Sequence, residues 1–385
     1  MANNNDNKVL NVPHLRFPEF TEEWEEHALA EYLDFKNVLN PDVKRIGRGL
    51  PFISVMDILA DGTINYDSIR GKVEATEREI ENFSVEKGDI LFQRSSETLE
   101  DVGRANVYMD NRTAVYGGFV IRGRKIGDYN PLFFKYLLST PLARKRTCRM
   151  GAGAQHFNIG QDGLSKISLC FPLMEEQNKI ARLLSLIDER IATQNKIIDK
   201  LQSLIKGLRV CCMQRNGSDN VYLSEIAQIY QPQTISSAEL TEDGFLVYGA
   251  NGIIGKYKDY NHKTEQICIT CRGNTCGMVN YTKPMSWITG NAMVINTDKY
   301  QDKVYKKYLY HYLSAYNFNS IISGSGQPQI VRTPLEKLKI TLPTISEQKQ
   351  KAMILDKIQD KIEINHNVLN LYILQKQYLL RQMFI

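Results

Sequence analysis

Hydrophobic positions follow a heptad period in two long stretches of the chain, residues 175–214 and 347–385. In the first, the spacing alternates between four and three residues along Ile180, Leu184, Ile187, Ile191, Gln194, Ile198 and Leu201. The second repeats it along Leu355, Ile358, Ile362, Asn365 and Leu369. This spacing predicts two long helices, each extending roughly 60 Å at 1.5 Å per residue, with one amide in each apolar seam.

Each seam needs a helical partner, which is either the twin seam or a second copy of the chain. A partner within the same chain has the higher effective concentration, so we expect the two seams to pair with each other. The pairing is antiparallel if the globular segments lie at opposite ends, and a homodimeric coiled coil is the alternative. Lys376 interrupts the second seam, with Ile373 and Leu380 as the neighbours able to cover it.

Short β-type runs between turn residues alternate with helix-like segments in the rest of the chain, which predicts mixed α/β domains. Runs at residues 51–56, 89–92 and 118–121 are examples. The predicted organisation is an N-terminal segment at 1–23, globular domains at 24–173 and 218–343, a central helix at 174–217 and a C-terminal helix at 344–385.

The chain contains an internal repeat at an offset of 171 residues. The five identical positions are Leu164, Lys166, Pro172, Glu176 and Gln177, which recur as Leu335, Lys337, Pro343, Glu347 and Gln348. A Gly-rich loop precedes each copy, and a heptad helix follows it. A unit of this length is too long for a solenoid repeat, so the pattern indicates a duplicated globular domain with its connector.

Composition narrows the classes of protein. With 385 residues, 43% hydrophobic and 24% charged, the chain is expected to form two or three folded domains. No apolar run reaches the length of a membrane-spanning helix, and the polar start lacks a secretory core. Seven cysteines without a signal peptide predict reduced thiols and a cytoplasmic location. The net charge of +5 permits a nucleic-acid partner without establishing one.

The sequence contains parts of known catalytic motifs, but none of these motifs is complete. The run around Gly255 and Lys256 resembles a phosphate loop, but Ala250 and Tyr257 replace its required glycine and hydroxyl residue. Asn40-Pro41 and Asn130-Pro131 lack the second proline of an adenine methyltransferase site. The sequence therefore predicts a chain without its own catalytic site or cofactor.

A metal site is also disfavoured. Cys268, Cys271 and Cys276, with His262 upstream, lack the second well-placed pair of a zinc site, and small core residues are the preferred interpretation. His156 and His311 have no nucleophile or carboxylate at an interpretable spacing.

Polar and basic residues in loops are the remaining candidates for chemistry. Arg pairs with guanine and Asn or Gln with adenine at base edges, whereas clustered Lys and Arg contact phosphates; a solvated basic face is the alternative. A further cluster lies at Arg122, Arg124 and Lys125. We align Gln93, Arg94 and Ser95 with Arg272, Gly273 and Asn274 of the second half. The candidate DNA-binding residues are Gln93, Arg94, Ser95, Arg144, Lys145, Arg146, Gln155, His156, Asn158, Tyr248, Asn251, Arg272, Asn274, Gln327 and Gln329.

Taken in order, these features resemble a specificity subunit of a type I restriction-modification system. The resemblance rests on the opening Val12-Pro-His-Leu-Arg-Phe-Pro-Glu-Phe-Thr-Glu-Glu-Trp24, the paired Pro…Glu-Gln endings, the run Tyr248-Gly-Ala-Asn-Gly-Ile-Ile-Gly255 and the heptad helix after each half. It covers essentially the whole chain. The first half departs from symmetry, since residues 52–56 lack the Tyr-Gly-x-x-Gly run.

The resemblance implies two target-recognition domains, each of which reads one half of a bipartite double-stranded DNA site. It implies that an antiparallel coiled coil fixes the spacer and docks two modification subunits, which flip and methylate an adenine. Two ATP-driven restriction subunits complete the full complex, and the chain itself is non-catalytic. A self-sufficient methyltransferase and a coiled-coil scaffold without a DNA-reading role are the alternatives.

Overall fold

The computed structural model describes residues 11–37, 39, 41–153, 155–213, 219–250, 252–324 and 326–385, without the side chains of residues 212, 213 and 219. These residues form two compact units. The first unit contains residues 1–194 and 368–385, and the second contains residues 195–367. The boundary falls inside both long helices.

The first unit is mixed α/β. Its strands are β1 (Glu25–Ala28), β2 (Leu33–Lys36), β3 (Ile46–Ile53), β4 (Lys72–Val73), β5 (Ser84–Val85), β6 (Ile90–Gln93), β7 (Ser95–Ser96), β8 (Ala105–Val107), β9 (Ala114–Tyr116), β10 (Val120–Lys125), β11 (Phe157–Asn158) and β12 (Ser168–Phe171). Its helices are α1 (Val55–Leu59), α2 (Glu77–Phe83), α3 (Pro131–Ser139), α4 (Pro141–Arg149), α5 (Gln161–Ser165) and the first part of α6 (Met174–Met213). Helix α3 begins where Asn130 caps the N–H of Phe133 at 3.0 Å and a proline occupies the first turn.

The second unit has fewer strands. They are β13 (Asp219–Tyr222), β14 (Gln228–Tyr230), β15 (Phe245–Gly249), β16 (Gly252–Tyr257), β17 (Ile267–Thr270), β18 (Val279–Tyr281), β19 (Trp287–Ile288), β20 (Ala292–Asn296) and β21 (Lys339–Leu342). Its helices are α7 (Lys306–Ala315), α8 (Arg332–Glu336), the last part of α6 and the first part of α9 (Ile345–Gln382). The last part of α9 belongs to the first unit.

The two units share a sheet topology, which establishes the duplication at the level of structure. The main four-stranded sheet has the order β2-β10-β6-β8 in the first unit and β14-β20-β17-β18 in the second. A parallel pair follows the same plan, β3 with β9 and β15 with β19. The units diverge after that pair, because β3 leads into helix α1 whereas β15 continues into the antiparallel strand β16.

The N-terminal segment and the C-terminus pack together in the core of the first unit. The Trp24 ring is buried and lies 6.1 Å from the Phe384 ring, centroid to centroid. The Arg16 guanidinium donates two hydrogen bonds to the Glu176 carboxylate, at 2.8 and 2.7 Å. Leu15 N–H donates to the Gln382 carbonyl at 2.8 Å. The start of α6 and the end of α9 are thus joined through one short segment.

The long helices run antiparallel where they meet in the first unit. The Lys376 ammonium lies 2.5 Å from the Asp188 carboxylate, and Arg190 lies over the Tyr372 ring. An ion pair with α6 compensates the charge that interrupts the seam. Of the two neighbours expected to cover Lys376, Leu380 is half-buried and Ile373 is exposed. Tyr136 also donates to Asp188, at 2.8 Å.

In the second unit the same two helices share an apolar cluster formed by Ile205, Leu355 and Ile362. Every predicted seam residue in the two helices is buried or half-buried. The buried members are Ile180, Leu184, Ile187, Gln194, Ile198, Leu355 and Ile362, and the half-buried ones are Ile191, Leu201, Ile358, Asn365 and Leu369. None of the described helices combines the length and hydropathy needed to cross a bilayer.

Candidate nucleic-acid interface

The structure brings two separate groups of predicted residues together in the first unit. Strand β7 pairs with β11, which places Ser95 opposite Asn158. The Ser95 hydroxyl donates to the Asn158 side-chain oxygen. The Arg94 carbonyl accepts from Ile159 N–H at 2.9 Å. Gln155 and His156 lie in the exposed turn that leads into β11.

The second unit repeats this arrangement. Arg272 forms a β-bridge with Gln329, and the Cys271 carbonyl accepts from Ile330 N–H at 3.0 Å. Arg272, Asn274, Gln327 and Gln329 are all exposed. Each unit therefore places two polar loops side by side. One loop follows a central strand, β6 or β17, and the other precedes the long helix α6 or α9.

One glycine in each Gly-rich loop lies close to the backbone of the same loop three residues later. A Cβ on Gly153 would lie 2.0 Å from the His156 carbonyl oxygen, and a Cβ on Gly324 would lie 2.5 Å from that of Gln327. Both glycines have positive φ angles, 141° and 91°, which side chains disfavour. The glycines at these two positions are therefore required by the close approach of the turn to itself.

The hydrogen-bond register corrects the alignment of the two halves. Gln93 N–H donates to Arg104 and its carbonyl accepts from Gly103, while Thr270 makes the same pair of bonds with Met278 and Gly277. The aligned positions are therefore Gln93 with Thr270 and Ser95 with Arg272. The sequence alignment of Gln93 with Arg272 is wrong by two positions, because it compared polar residue types rather than positions in the hydrogen-bond ladder.

Two predicted base contacts belong to the core instead. Gln93 and Tyr248 are each only 5% exposed. Gln93 donates from its side-chain amide to the Ser95 carbonyl at 2.9 Å, and the Tyr248 hydroxyl accepts from Lys283 N–H at 3.1 Å. Burial raises the pKa of the Tyr248 phenol. These side chains support the loops from beneath.

The basic cluster on α4 is also largely structural. Arg144 donates to the carbonyls of Glu100 and Val102, at 2.9 and 2.6 Å, and burial lowers the pKa of its guanidinium. Arg146 pairs with Glu26 at 2.9 Å. Lys145 between them is exposed. Of these three predicted phosphate contacts, Lys145 alone points a cation to solvent without such a partner among the described residues.

The cluster on β10 differs from its sequence interpretation as well. Arg122 is buried and donates to the Ser84 carbonyl at 2.6 Å, and Arg124 donates to the same carbonyl at 2.7 Å. Both guanidinium groups thereby hold strand β5 rather than face a ligand.

Two cysteines of the disfavoured zinc site lie in the core, and the third, Cys276, is half-buried. Cys268 and Cys271 are fully buried, and burial raises the pKa of the Cys268 thiol to about 12. His262 stacks on Tyr230, whose hydroxyl lies 2.8 Å from the imidazole Nε2. In the part of the chain that the structure describes, no three His, Cys, Asp or Glu side chains cluster as metal ligands would. Asn251 lies outside the described residues.

Sequence reasoning missed one exposed loop beside this surface in each unit. Phe119 and Asn291 occupy equivalent positions, because the Phe119 carbonyl accepts from Arg94 N–H at 2.7 Å and the Asn291 carbonyl accepts from Cys271 N–H at 3.0 Å. Both residues are exposed. The Gly117-Gly118 pair between two β-type runs was the available signal for a turn that presents a side chain.

The duplicated topology and paired loops match a known family. The family model described as type I restriction modification DNA specificity domain matches residues 21–203 and 216–371, which is most of the chain. The chain belongs to this family. Members of this specificity family supply the DNA sequence preference of type I systems and are non-catalytic subunits.

Individual specificity subunits resemble the chain over part or nearly all of its length. The putative MjaX specificity subunit of Methanocaldococcus jannaschii is 25% identical over 93% of this chain and 92% of that protein. The EcoprrI specificity subunit of Escherichia coli is 32% identical, but the match spans 35% of this chain and only 34% of the relative. The crystal structure of the S subunit from M. genitalium shares the fold, with a TM-score of 0.65, 16% identity and coverage of 97% and 99% of the two chains.

Proposed function

We propose that this specificity chain reads a bipartite double-stranded DNA site, with residues 24–173 on one half-site and residues 218–343 on the other. The repeated loop pair carries the proposal. Ser95 with Asn158 and Arg272 with Gln329 occupy matching ladder positions at the same place in two matching topologies. Amide and guanidinium groups of this kind distinguish bases in the major groove.

The two half-sites are expected to differ in sequence. The matching positions carry a hydroxyl in one unit and a guanidinium in the other, at Ser95 and Arg272. The turn residues differ too, with Gln155 and His156 in the first unit and Gln327 in the second. Since direct readout depends on donor and acceptor pattern, two different patterns select two different sequences.

The segments 174–217 and 344–385 act as the spacer element and as the docking surface for modification subunits in this proposal. Beyond the buried seam, α9 carries a second row of exposed apolar side chains, and such a row is typical of a protein-binding surface. This row comprises Ile354, Ile364, Leu371, Leu374 and Tyr378. Each of these side chains is more than half exposed.

The complete assembly is proposed to contain two modification subunits and, in the restriction complex, two ATP-dependent restriction subunits in the cytoplasm. The duplication supports the pairs, since each copy of a docking surface takes one copy of a partner. A solved structure that shares this fold, with a TM-score of 0.57 and 14% identity, describes complex assembly of the type I restriction-modification system.

Mapping of methylated adenines tests this function. Cells that express the modification subunit with and without this chain are compared genome-wide. The proposal predicts methylation at one bipartite motif with a fixed spacer only when the chain is present. Methylation that is unchanged without the chain would support the scaffold alternative instead.

A further inference from the structure

Phe119 is a large aromatic residue exposed on the turn between two buried strands. It lies between β9 and β10 and is 63% exposed, whereas Tyr116 and Val120 on either side of the turn are fully buried. Its ring therefore contributes little to the core of the first unit. The placement calls for an explanation other than packing.

The backbone at Phe119 is in an unfavourable conformation. Its φ angle is 68°, in the left-handed region that bulky side chains rarely adopt. The turn is fixed on the preceding side by Gly117, where a Cβ would lie 2.0 Å from the Phe52 ring. It is fixed by the hydrogen bond from Arg94 N–H to the Phe119 carbonyl. Strain that the surroundings hold in place in this way is typical of functional positions.

The equivalent turn in the second unit presents a different side chain at the same point. Gly117 N–H donates to Ile53 at 3.1 Å, and Thr289 N–H donates to Tyr248 at 2.9 Å, so the two turns begin at matching positions. Two residues later come Phe119 and Asn291. Both adjoin the loop pair through Arg94 and Cys271, whose carbonyls bond Ile159 and Ile330.

The chemistry of the two side chains fits different base edges. In the major groove thymine presents its C5 methyl group, which apolar side chains contact, and adenine presents N6 and N7, which an asparagine amide binds in a bidentate manner. The alternative is that Phe119 binds an apolar site on a partner protein. That alternative does not explain why Asn291 stands at the equivalent position of the second unit, because a carboxamide does not fit an apolar site.

We propose that Phe119 packs against the C5 methyl of one thymine in the first half-site, and that Asn291 binds one adenine in the second. This inference rests on the proposed function. It assigns two specificity-determining residues that lie outside the polar loops, one in each unit.

The test measures DNA binding by the chain in complex with its modification subunits, on the site identified by methylation mapping. Each thymine of the first half-site is replaced in turn by deoxyuridine, which lacks the C5 methyl. We expect about 4-fold weaker binding at one position, the value of one buried methyl group. F119A should weaken binding to thymine DNA and abolish that deoxyuridine effect, whereas the matched variant N291A should preserve it.

The outcomes separate the two claims. If the wild-type complex prefers no sequence, the proposed function fails and this inference with it. If it binds specifically but no deoxyuridine in the first half-site matters, or F119A retains the full effect, the inference alone is overturned. N291A is expected to lose discrimination at one adenine of the second half-site only.

A stability measurement distinguishes a reading residue from a structural one. Glycine adopts a φ of 68° without strain, so F119G should raise the melting temperature of the chain by about 2–4 °C while it weakens DNA binding. A fall in melting temperature with F119G would show that the ring supports the fold, and would contradict the assignment.

Discussion

The side-chain carbonyl of Gln177 accepts a hydrogen bond from Asn130 N–H at 3.0 Å, and its amide donates to the Pro172 carbonyl at 2.8 Å. Gln348 repeats both bonds in the second unit, with Tyr305 N–H at 2.8 Å and the Pro343 carbonyl at 2.9 Å. Each glutamine thus ties the first turn of a long helix to the start of α3 or α7. The repeated glutamine of the sequence is a structural joint rather than a DNA contact.

Loss of this joint should destabilise the chain. Gln348 is completely buried and also donates to Lys303 at 3.1 Å, so Q348A leaves buried backbone groups without partners. We expect a loss of about 3 kcal/mol in the free energy of unfolding, measured by urea denaturation. Q350A, an exposed glutamine two residues away, should change it by less than about 0.5 kcal/mol. Equal effects of the two substitutions would rule out the joint.

The ion pair between Asp188 and Lys376 should show coupling in a double-mutant cycle. D188N leaves a half-buried ammonium without its partner and should cost about 1–2 kcal/mol, whereas K376M should cost less, because Asp188 keeps the hydrogen bond from Tyr136. The double variant should be less destabilised than the sum of the singles, by about 1 kcal/mol. Strict additivity would show that the pair does not hold the helices.

Acidification should weaken the second unit through His311. This side chain is buried, accepts from Arg209 at its Nδ1, 3.2 Å away, and so donates from Nε2 to Asp356 at 3.0 Å. Burial lowers the pKa of the imidazole below 6.5, despite the opposing effect of the Asp356 carboxylate. Below pH 6.5 the unfolded chain therefore binds the proton first, and stability falls until the folded-state pKa is reached.

The matched variants are H311Q and H366Q, the second at an exposed position on α9. Thermal denaturation between pH 7 and pH 5 should show a shallower loss of melting temperature in H311Q than in the wild type. H366Q should follow the wild type. If the melting temperature of H311Q fell with pH as steeply as that of the wild type, other groups would account for the pH dependence.

Arg272 should affect one half-site only. R272A removes an exposed guanidinium from the second unit, and a direct base contact is worth about 1–3 kcal/mol of discrimination. Methylation mapping should show relaxed sequence at one position of one half-site. R144A provides the comparison, since Arg144 bonds protein carbonyls and its loss should lower stability instead. Relaxation at both half-sites by R272A would contradict the division between the units.

The helices were predictable because a heptad pattern is a local property of the sequence. Predicted starts at 174 and 344 compare with observed starts at Met174 and Ile345. The second helix ends at Gln382, earlier than predicted, since the last residues turn into the core beside Trp24. The partner of Lys376 was not predictable, because it depends on the pairing register of two distant segments.

The site was predictable in residue type and less so in position. Arg122 and Arg144 were predicted as ligands of phosphate because the sequence reveals their charge. It does not reveal the backbone carbonyls to which the two guanidinium groups donate in the folded chain. The repeated glutamate also changes role, since Glu176 binds Arg16 and Trp24 whereas Glu347 caps its own helix at Thr344. The repeated glutamines therefore make the same hydrogen bonds in both units, whereas the glutamates that precede them have different partners.

The most direct test of the central claim is a map of methylated adenines for a variant from which one heptad is deleted in the middle of each long helix. If the helices set the spacer between two independent readers, both half-site sequences stay the same and the number of bases between them changes. An unchanged spacer with altered half-site sequences would contradict the account.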